Sequence, residues 1–373
     1  MPTVFIGALP ADEGLQQSLQ QEVLRTLSVS LSYQQQGDSL QALLRRVPYY
    51  QAERPLELVE TLYRVLAQFL AEKQLLSASL DTYRLFISDY PATLAAARLQ
   101  LLLIEHYLAD ADADRAQAEQ QRYISLFGYQ TAFWQQASGA ELTEVAPLLL
   151  QYLDYFSRKQ YLSAQQQTGE SQRQAYSAVL PMWQQMLSIL AEPLLQQSEL
   201  PQQYSSADLR YLLAESYVGA TLNEQALALY TELGYQALPG KASLFSAKDA
   251  AYKALLLSTE LAALSEANAL RLWQQQSDFV ATHSSHPAAQ QVALQQLQQR
   301  YSEQDYYGVL THSNSVIQWP QAAQSRPELV QEAQFLHSQS ELALQQYAAA
   351  EHSISVLLTQ QLDKDRRSLL TGQ

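Results

Sequence analysis

Three acidic residues in the stretch YLADADADRAQAEQQ are spaced like metal ligands. Asp110, Asp112 and Asp114 occupy alternate positions, as do the first ligands of an EF-hand calcium loop. Such a loop also needs glycine at its sixth position and a bidentate glutamate at its twelfth, and here these positions hold Arg115 and Gln121. The stretch is therefore interpreted as an acidic turn before a helix, whose N-terminal dipole favours negative charge.

Other candidates for metal or acid–base chemistry are dispersed. His283 and His286 are three positions apart, just before Pro287, with no third ligand nearby in the sequence, whereas a zinc site needs at least three protein ligands. Cysteine is absent, which removes thiolate ligands, thiol nucleophiles and disulfides. No Gly-rich phosphate loop, G-x-S-x-G elbow or HExxH motif occurs. We expect no catalytic residue, no bound metal and no cofactor.

The composition argues against several classes of partner. The chain of 373 residues has a formal net charge of −14 and a sequence pI of about 4.9, so phosphate backbones and anionic lipid surfaces repel it. No segment reaches the ~18 apolar residues of a membrane-spanning helix, and the opening MPTVFIGALP lacks the features of a signal peptide. We expect no nucleic-acid partner and no membrane insertion.

The residue pattern predicts helices that alternate with short turns. Only 11 glycines and 13 prolines occur, among many good helix formers. Four times an aromatic residue is followed nine positions later by alanine, across a short polar break. A second helix follows, and proline or glycine often ends it. The pairs are Tyr33 with Ala42, Phe69 with Ala78, Tyr107 with Ala116, and Tyr217 with Ala226, and the helix-ending residues are Pro91, Gly128, Pro239 and Pro287. Alanine permits close approach of two helices, so the pattern predicts an all-α chain of roughly eight stacked helix pairs.

These residues resemble the tetratricopeptide repeat (TPR) family. Its motif is matched by Leu213, Ala214, Tyr217, Ala226 and Tyr230, with Pro239 one position beyond the closing proline. Three other segments match more weakly. They are Leu103 with Tyr107 and Ala116, Tyr33 with Gly37 and Ala42, and Tyr347 with Ala350, Ile354 and Leu357. The tryptophan of the family's first helix is not seen in these repeats. The resemblance implies an α-solenoid, a superhelix of antiparallel hairpins that acts as a protein-binding scaffold.

The repeats predict three segments. Residues 1–140 and 201–373 are expected to form TPR-like repeats, with a pair lacking the alanine in register between Ser243 and Pro287. Residues 141–200 are expected to form an atypical pair of long helices with an enlarged loop at SAQQQTGESQ.

The predicted location follows from a narrower resemblance. The degenerate repeats, the segment FISDYP and the end of the third hairpin (Phe127, Gly128 and Trp134) together resemble bacterial envelope TPR scaffolds, which implies an association with envelope machinery. The protein is then expected to be periplasmic if the sequence is a mature exported form, and otherwise cytoplasmic.

The same resemblance implies a partner-binding face. In TPR proteins the first helix of each hairpin lines the concave surface, and the matching positions here are Arg98, Leu101, Glu105, Asp208, Tyr211 and Glu215. The Lys and Asn of carboxylate-clamp relatives are missing at these positions. The face mixes aromatic and acidic residues, which favours a basic or proline-rich segment of a protein partner.

An alternative function comes from Glu215 and Ser216, which resemble the catalytic Glu-Ser of soluble lytic transglycosylases. Those envelope enzymes also carry long helical superhelices, but the downstream Gly-Leu-Met-Gln turn of their motif is not found here. A non-enzymatic scaffold is therefore the preferred interpretation, with a helical accessory region of an envelope enzyme as the alternative.

Overall fold

The computed structural model describes residues 13–46, 56–196, 198–236, 243–320 and 325–359, and in these ranges the regular elements are helices, with no strand. The predicted all-α class is confirmed. Pro239 lies outside the described residues. The chain divides into two compact units, Met1–Lys159 with Gln184–Pro201, and Gln160–Trp183 with Gln202–Gln373.

The first unit begins with three helical hairpins. They are formed by α1 (Glu13–Ser32) and α2 (Gln36–Arg46), α3 (Leu56–Glu72) and α4 (Leu76–Asp89), and α5 (Leu94–Ala109) and α6 (Ala113–Phe127), followed by the short α7 (Ala132–Gln136). Helices pack within each hairpin and also onto the next one, as α4 does on α5. This nearest-neighbour packing is how an α-solenoid buries a continuous core.

Two long helices follow. Helix α8 (Gly139–Gln165) has 27 residues and α9 (Gly169–Ala191) has 23. Only residues 166–168 connect them, so the loop expected at SAQQQTGESQ is short rather than enlarged, because helix continues into both of its ends. The boundary between the two units falls inside both helices, whereas the three-segment division stays a prediction.

The described residues of the second unit form four more hairpins. After the short α10 (Leu200–Gln203), the pairs are α11 (Ser206–Gly219) with α12 (Asn223–Tyr235), α13 (Ala247–Ala262) with α14 (Glu266–Thr282), α15 (Ala289–Ser302) with α16 (Tyr306–Ile317), and α17 (Pro327–Ala343) with α18 (Tyr347–Leu358). Consecutive helices pack along this series, and the predicted helix ends near Pro91, Gly128 and Pro287 are confirmed.

Five hairpins share one turn. Each has a residue with φ between 56° and 63° at its centre: Gln74, Ala111, Thr221, Gln304 and Gln345. The next backbone N–H donates to the carbonyl five residues earlier, as Asp112 does to Tyr107 (2.9 Å) and Leu222 to Tyr217 (2.8 Å). This is the Schellman pattern, here built without glycine at the left-handed position.

The shared turn determines where the aromatic–alanine pairing holds. In two hairpins the aromatic precedes the left-handed residue by four positions, and there the paired Ala116 and Ala226 are buried as predicted. In the second hairpin the prediction is wrong by one residue, because the turn at Gln74 places Leu70 and Ser79 at the buried positions.

The first predicted pair is wrong. Tyr33 is 87% exposed and Ala42 is also exposed, while Gly37 and Leu40 are buried. The positive φ of this turn is at Gln36, only three positions after Tyr33, so the second helix is rotated relative to the expected register. A Cβ on Gly37 would come within 2.8 Å of Leu85 on α4, which explains the small residue there.

Ala116→Trp is expected to lower the free energy of unfolding by about 1–3 kcal/mol or more, because the side chain has no space between α5 and α6. Ala118→Trp is the matched control, since Ala118 is exposed on the same helix. Urea denaturation of both variants measures the effect, and an equal loss in both would contradict the packing at Ala116.

Candidate partner-binding site

The predicted residues of the second unit lie on one face of α11. Asp208, Tyr211 and Glu215 are separated by three and four positions, so their side chains share a helix surface. Tyr211 and Glu215 are both contacted by Lys253 from α13, whereas Asp208 points to a different group. The face of the first helices therefore contains two separate arrangements.

A charge pair surrounded by tyrosine forms the first arrangement. The Lys253 ammonium donates to the Glu215 carboxylate and, at 2.8 Å, to the Tyr211 hydroxyl. The Tyr230 hydroxyl of α12 also donates to Glu215. The Lys253 nitrogen lies 5.0 Å from the ring centroid of Tyr211 and 5.6 Å from that of Tyr230, within the range of cation–π attraction.

Further aromatic side chains extend this surface. Phe245 stacks on Tyr211 with ring centroids 4.9 Å apart and an interplanar angle of 4°. Tyr161 of α8 meets Tyr176 of α9 edge to face at 5.6 Å. The Lys253 and Glu215 side chains are 37% and 26% exposed, so a partner can reach the charge pair. We call these seven residues the tyrosine cluster: Tyr161, Tyr176, Tyr211, Glu215, Tyr230, Phe245 and Lys253.

The electrostatics keep the hydroxyls protonated and the ammonium charged. Burial, reinforced by the negative charge of Glu215, raises the pKa of Tyr161 to about 12 and raises the pKa of Tyr176 and Tyr230 as well. Burial alone would lower the pKa of Lys253, but its hydrogen bonds to Glu215 and Tyr211 outweigh this, and the net pKa is raised. Tyr161, Tyr176 and Tyr230 thus stay neutral phenols near a charged Lys253 at physiological pH.

Asp208 accepts hydrogen bonds from the segment that leads into the next hairpin. Its buried carboxylate accepts from the backbone N–H groups of Ser243 (2.9 Å) and Leu244 (3.0 Å) and from the Ser243 hydroxyl (2.6 Å). Burial alone would raise the pKa of Asp208, but the hydrogen bonds from these donors outweigh burial, and the net pKa lies below the ordinary value. Its acceptors are occupied within the chain.

The predicted residues of the first unit make a simpler surface on α5. Arg98 forms a two-point ion pair with Glu144 of α8, at 2.7 and 2.8 Å, and the hydrogen bond from Arg98 lowers the pKa of that carboxyl. Leu101 is half-buried. Glu105 is exposed and lines a cavity of about 360 Å³ beside His106.

The acidic turn after α5 is used within the protein. Asp112 caps α6 by accepting from the Arg115 N–H at 3.1 Å, and Asp110 lies 3.3 Å from His106. Both aspartates also line a groove of about 600 Å³ between α4 and α6. No group of three or more metal-binding side chains is found in the part of the chain that the structure describes.

Sequence reasoning missed most of the tyrosine cluster. Lys253 and Phe245 lie in the hairpin whose alanine was out of register, so its faces were not assigned. Tyr161 and Tyr176 belong to the long helices, where the repeat spacing gives no guide. A usable signal was Ser246 and Asp249, which repeat the helix start of Ser205 and Asp208 forty-one positions later and would have aligned the two first helices.

No family model matches the chain, and no curated protein matches it significantly. Among solved structures, a crystal structure of the P58(IPK) TPR domain is similar, with 13% identity over 84% of this chain and 96% of that chain, at a TM-score of 0.20. Since so low a score gives no close superposition, the TPR-like assignment rests on the hairpins described above. In its described residues each unit is an array of TPR-like helix pairs of the α-solenoid type.

Gly219→Ala is expected to destabilise the protein by about 1–3 kcal/mol through overpacking, although alanine normally favours a helix. A Cβ at this position would lie 2.2–2.4 Å from the Tyr176 ring. Gly139→Ala is the control, because its nearest contacts would be at an ordinary 3.8 Å. Thermal and urea unfolding measure both, and a stabilised Gly219→Ala variant would contradict the packing of Tyr176 on α11.

Asp208→Asn is expected to lower the free energy of unfolding by about 1–2 kcal/mol at pH 7, because charge-assisted hydrogen bonds are weakened. A carboxyl with a lowered folded pKa stabilises fully above its unfolded pKa of about 3.9 and ceases to do so as pH falls through the folded pKa. The difference from wild type should therefore shrink in acid.

Urea denaturation at pH 7 and pH 3 tests this dependence, together with hydrogen exchange of the Ser243 and Leu244 amides. Asp249→Asn, at the corresponding but 56% exposed position, should have a smaller effect. A difference independent of pH would show that the Asp208 charge is not responsible.

Proposed function

We propose that this protein is a non-enzymatic scaffold that binds an extended segment of a partner protein on the face formed by its first helices, with the tyrosine cluster as the main contact. The observation that supports this is the partly exposed Lys253–Glu215 pair framed by tyrosines and by the stacked Tyr211 and Phe245. Tyrosine is enriched where proteins bind one another.

The chemistry of the cluster favours a peptide over a compact ligand. The stacked rings of Tyr211 and Phe245 offer a flat apolar surface for a proline or aliphatic side chain. The phenol hydroxyls and the ion pair can exchange hydrogen bonds with a peptide backbone or with a basic side chain. The tight packing of Tyr176 on Gly219 orders part of this surface before binding, which reduces the entropy lost in the complex.

The contacts of Glu215 suit this role better than catalysis. A general acid must give a proton to its substrate, whereas the Glu215 carboxylate already accepts hydrogen bonds from Lys253 and Tyr230. We therefore assign Glu215 to the orientation of Lys253.

A location in a bacterial cell envelope, in association with its assembly machinery, is part of the proposal and is supported by the sequence resemblance to envelope TPR scaffolds alone. In the part of the chain that the structure describes, no helix has the length and apolar character to cross a membrane. Fractionation of the native host with an antibody to this protein tests the location.

Affinity capture from the native host tests the binding face. Wild type is expected to recover a partner protein that Tyr211→Ala loses, since removal of a central aromatic residue typically costs about 2 kcal/mol or more in binding. Arg173→Ala is the control, because Arg173 is exposed and pairs only with Glu170 of its own helix in the described contacts. Matching melting temperatures establish that the variants are folded.

Two outcomes would contradict the proposal. Recovery of the same proteins by wild type and Tyr211→Ala would remove the tyrosine cluster from the interface. Turnover of a peptidoglycan substrate by wild type that is abolished in Glu215→Gln would instead support an envelope enzyme.

A further inference from the structure

A second surface of the second unit has an unusual distribution of apolar residues. Leu264 and Leu270 are 73% and 72% exposed. They lie just before and within α14, where Phe279 is the one fully buried residue of the segment Glu266–Thr282. By comparison, the shorter α12 buries five residues. The first two turns of α14 therefore present apolar side chains that the protein's own core does not cover.

These turns form one wall of an open groove of about 680 Å³. The other wall is the end of α15, and the lining residues are Glu266, Ala267, Ala269, Leu270, Trp273, Gln299, Arg300 and Glu303. Leu270 and Trp273 share a face of α14, since they are three positions apart. The size suits one or two apolar side chains of a partner helix.

The base of the groove is held in place by Arg300. Its guanidinium lies 5.0 Å from the centroid of the Trp273 ring and pairs with Asp305 at 2.6 Å. Trp273 is half-buried, whereas Trp134, Trp183 and Trp319 are buried. The indole is thus fixed from one side and accessible from the other, as in a pocket that accepts a hydrophobic anchor.

The charges at the rim indicate the occupant. Glu266 and Glu303 line the groove, and both are exposed. The positive charge of Arg300 is balanced by Asp305, so the rim is negative. Charge complementarity then requires basic residues beside the apolar anchor.

We propose that the groove between α14 and α15 docks an amphipathic helix of a partner protein, with leucine-like residues on Leu270 and Trp273 and with lysine or arginine beside Glu266 and Glu303. Helices that bind in grooves place apolar residues at such spacings. The site lies on α14 and α15, apart from the tyrosine cluster on α11 and α13, so either site can fail without the other.

A synthetic helical peptide made only of leucine and lysine tests the groove, with a leucine and glutamate peptide of the same pattern as its counterpart. Binding is followed by the fluorescence of Trp273, and Trp273→Phe identifies its signal. The lysine peptide is expected to shift the emission to the blue, and Leu270→Asp is expected to weaken its binding at least tenfold. Charge reversal at Glu266 and Glu303 together should weaken binding and reduce its salt dependence.

Leu43→Asp is the matched control. Leu43 is exposed on α2, a second helix of the first unit, and belongs neither to the tyrosine cluster nor to the groove. It should leave the binding of the lysine peptide unchanged. Equal affinity of the peptide for wild type and Leu270→Asp would overturn the proposal.

Two further results would also overturn the choice of occupant. One is tighter binding of the glutamate peptide. The other is that wild type self-associates in sedimentation experiments, that Leu270→Asp abolishes this self-association, and that the lysine peptide does not bind. The groove would then be occupied by a second copy of the chain.

Discussion

The hydrogen bond across the hairpin turn is the constraint on which the rest of the structure depends. Leu222 is the second residue after Ala220, the C-terminal cap of α11. Its N–H can reach the carbonyl of Tyr217 only if Thr221 adopts a left-handed conformation. This fixes the direction and the rotation of the second helix together. Once the rotation is fixed, a residue nine positions after the acceptor always faces the first helix, and Ala226 must be small there.

The same constraint produces the surface. Because second helices such as α4, α12 and α16 pack both on their own partners and on the next first helix, neighbouring first helices come side by side. Side chains on α11 and α13 are then in direct contact, and both are held by helices rather than by loops, as are Glu215 and Lys253. Sites built on helices hold their groups more precisely than sites built on loops. Asp208 adds to this by binding the segment that leads into α13.

The spacing of residues along the chain predicted the helices but not which side chains of neighbouring helices come into contact. The periodicity and the pairs at Ala116 and Ala226 were sufficient for the class of fold, because they depend on contacts within one hairpin. The register failed at Tyr33 and Ala42, because it depends on which residue of the turn takes a positive φ, and Gln, Ala and Thr there give no signal of the kind that glycine would. The tyrosine cluster combines five helices and one connection, so no spacing in the sequence contains it.

A turn that lacks this bond explains the exposed face of α14. The connection from α13 to α14, residues 263–265, has no positive φ, and Ala263 keeps a helical conformation. Without the bond found in the five shared turns, α14 has no small residue in register and buries fully only Phe279. Leu264 and Leu270 are left exposed near the groove, and apolar surface rimmed by polar residues is typical of an interaction site. We interpret the departure from the repeat as the means by which α14 keeps this apolar surface open to a partner.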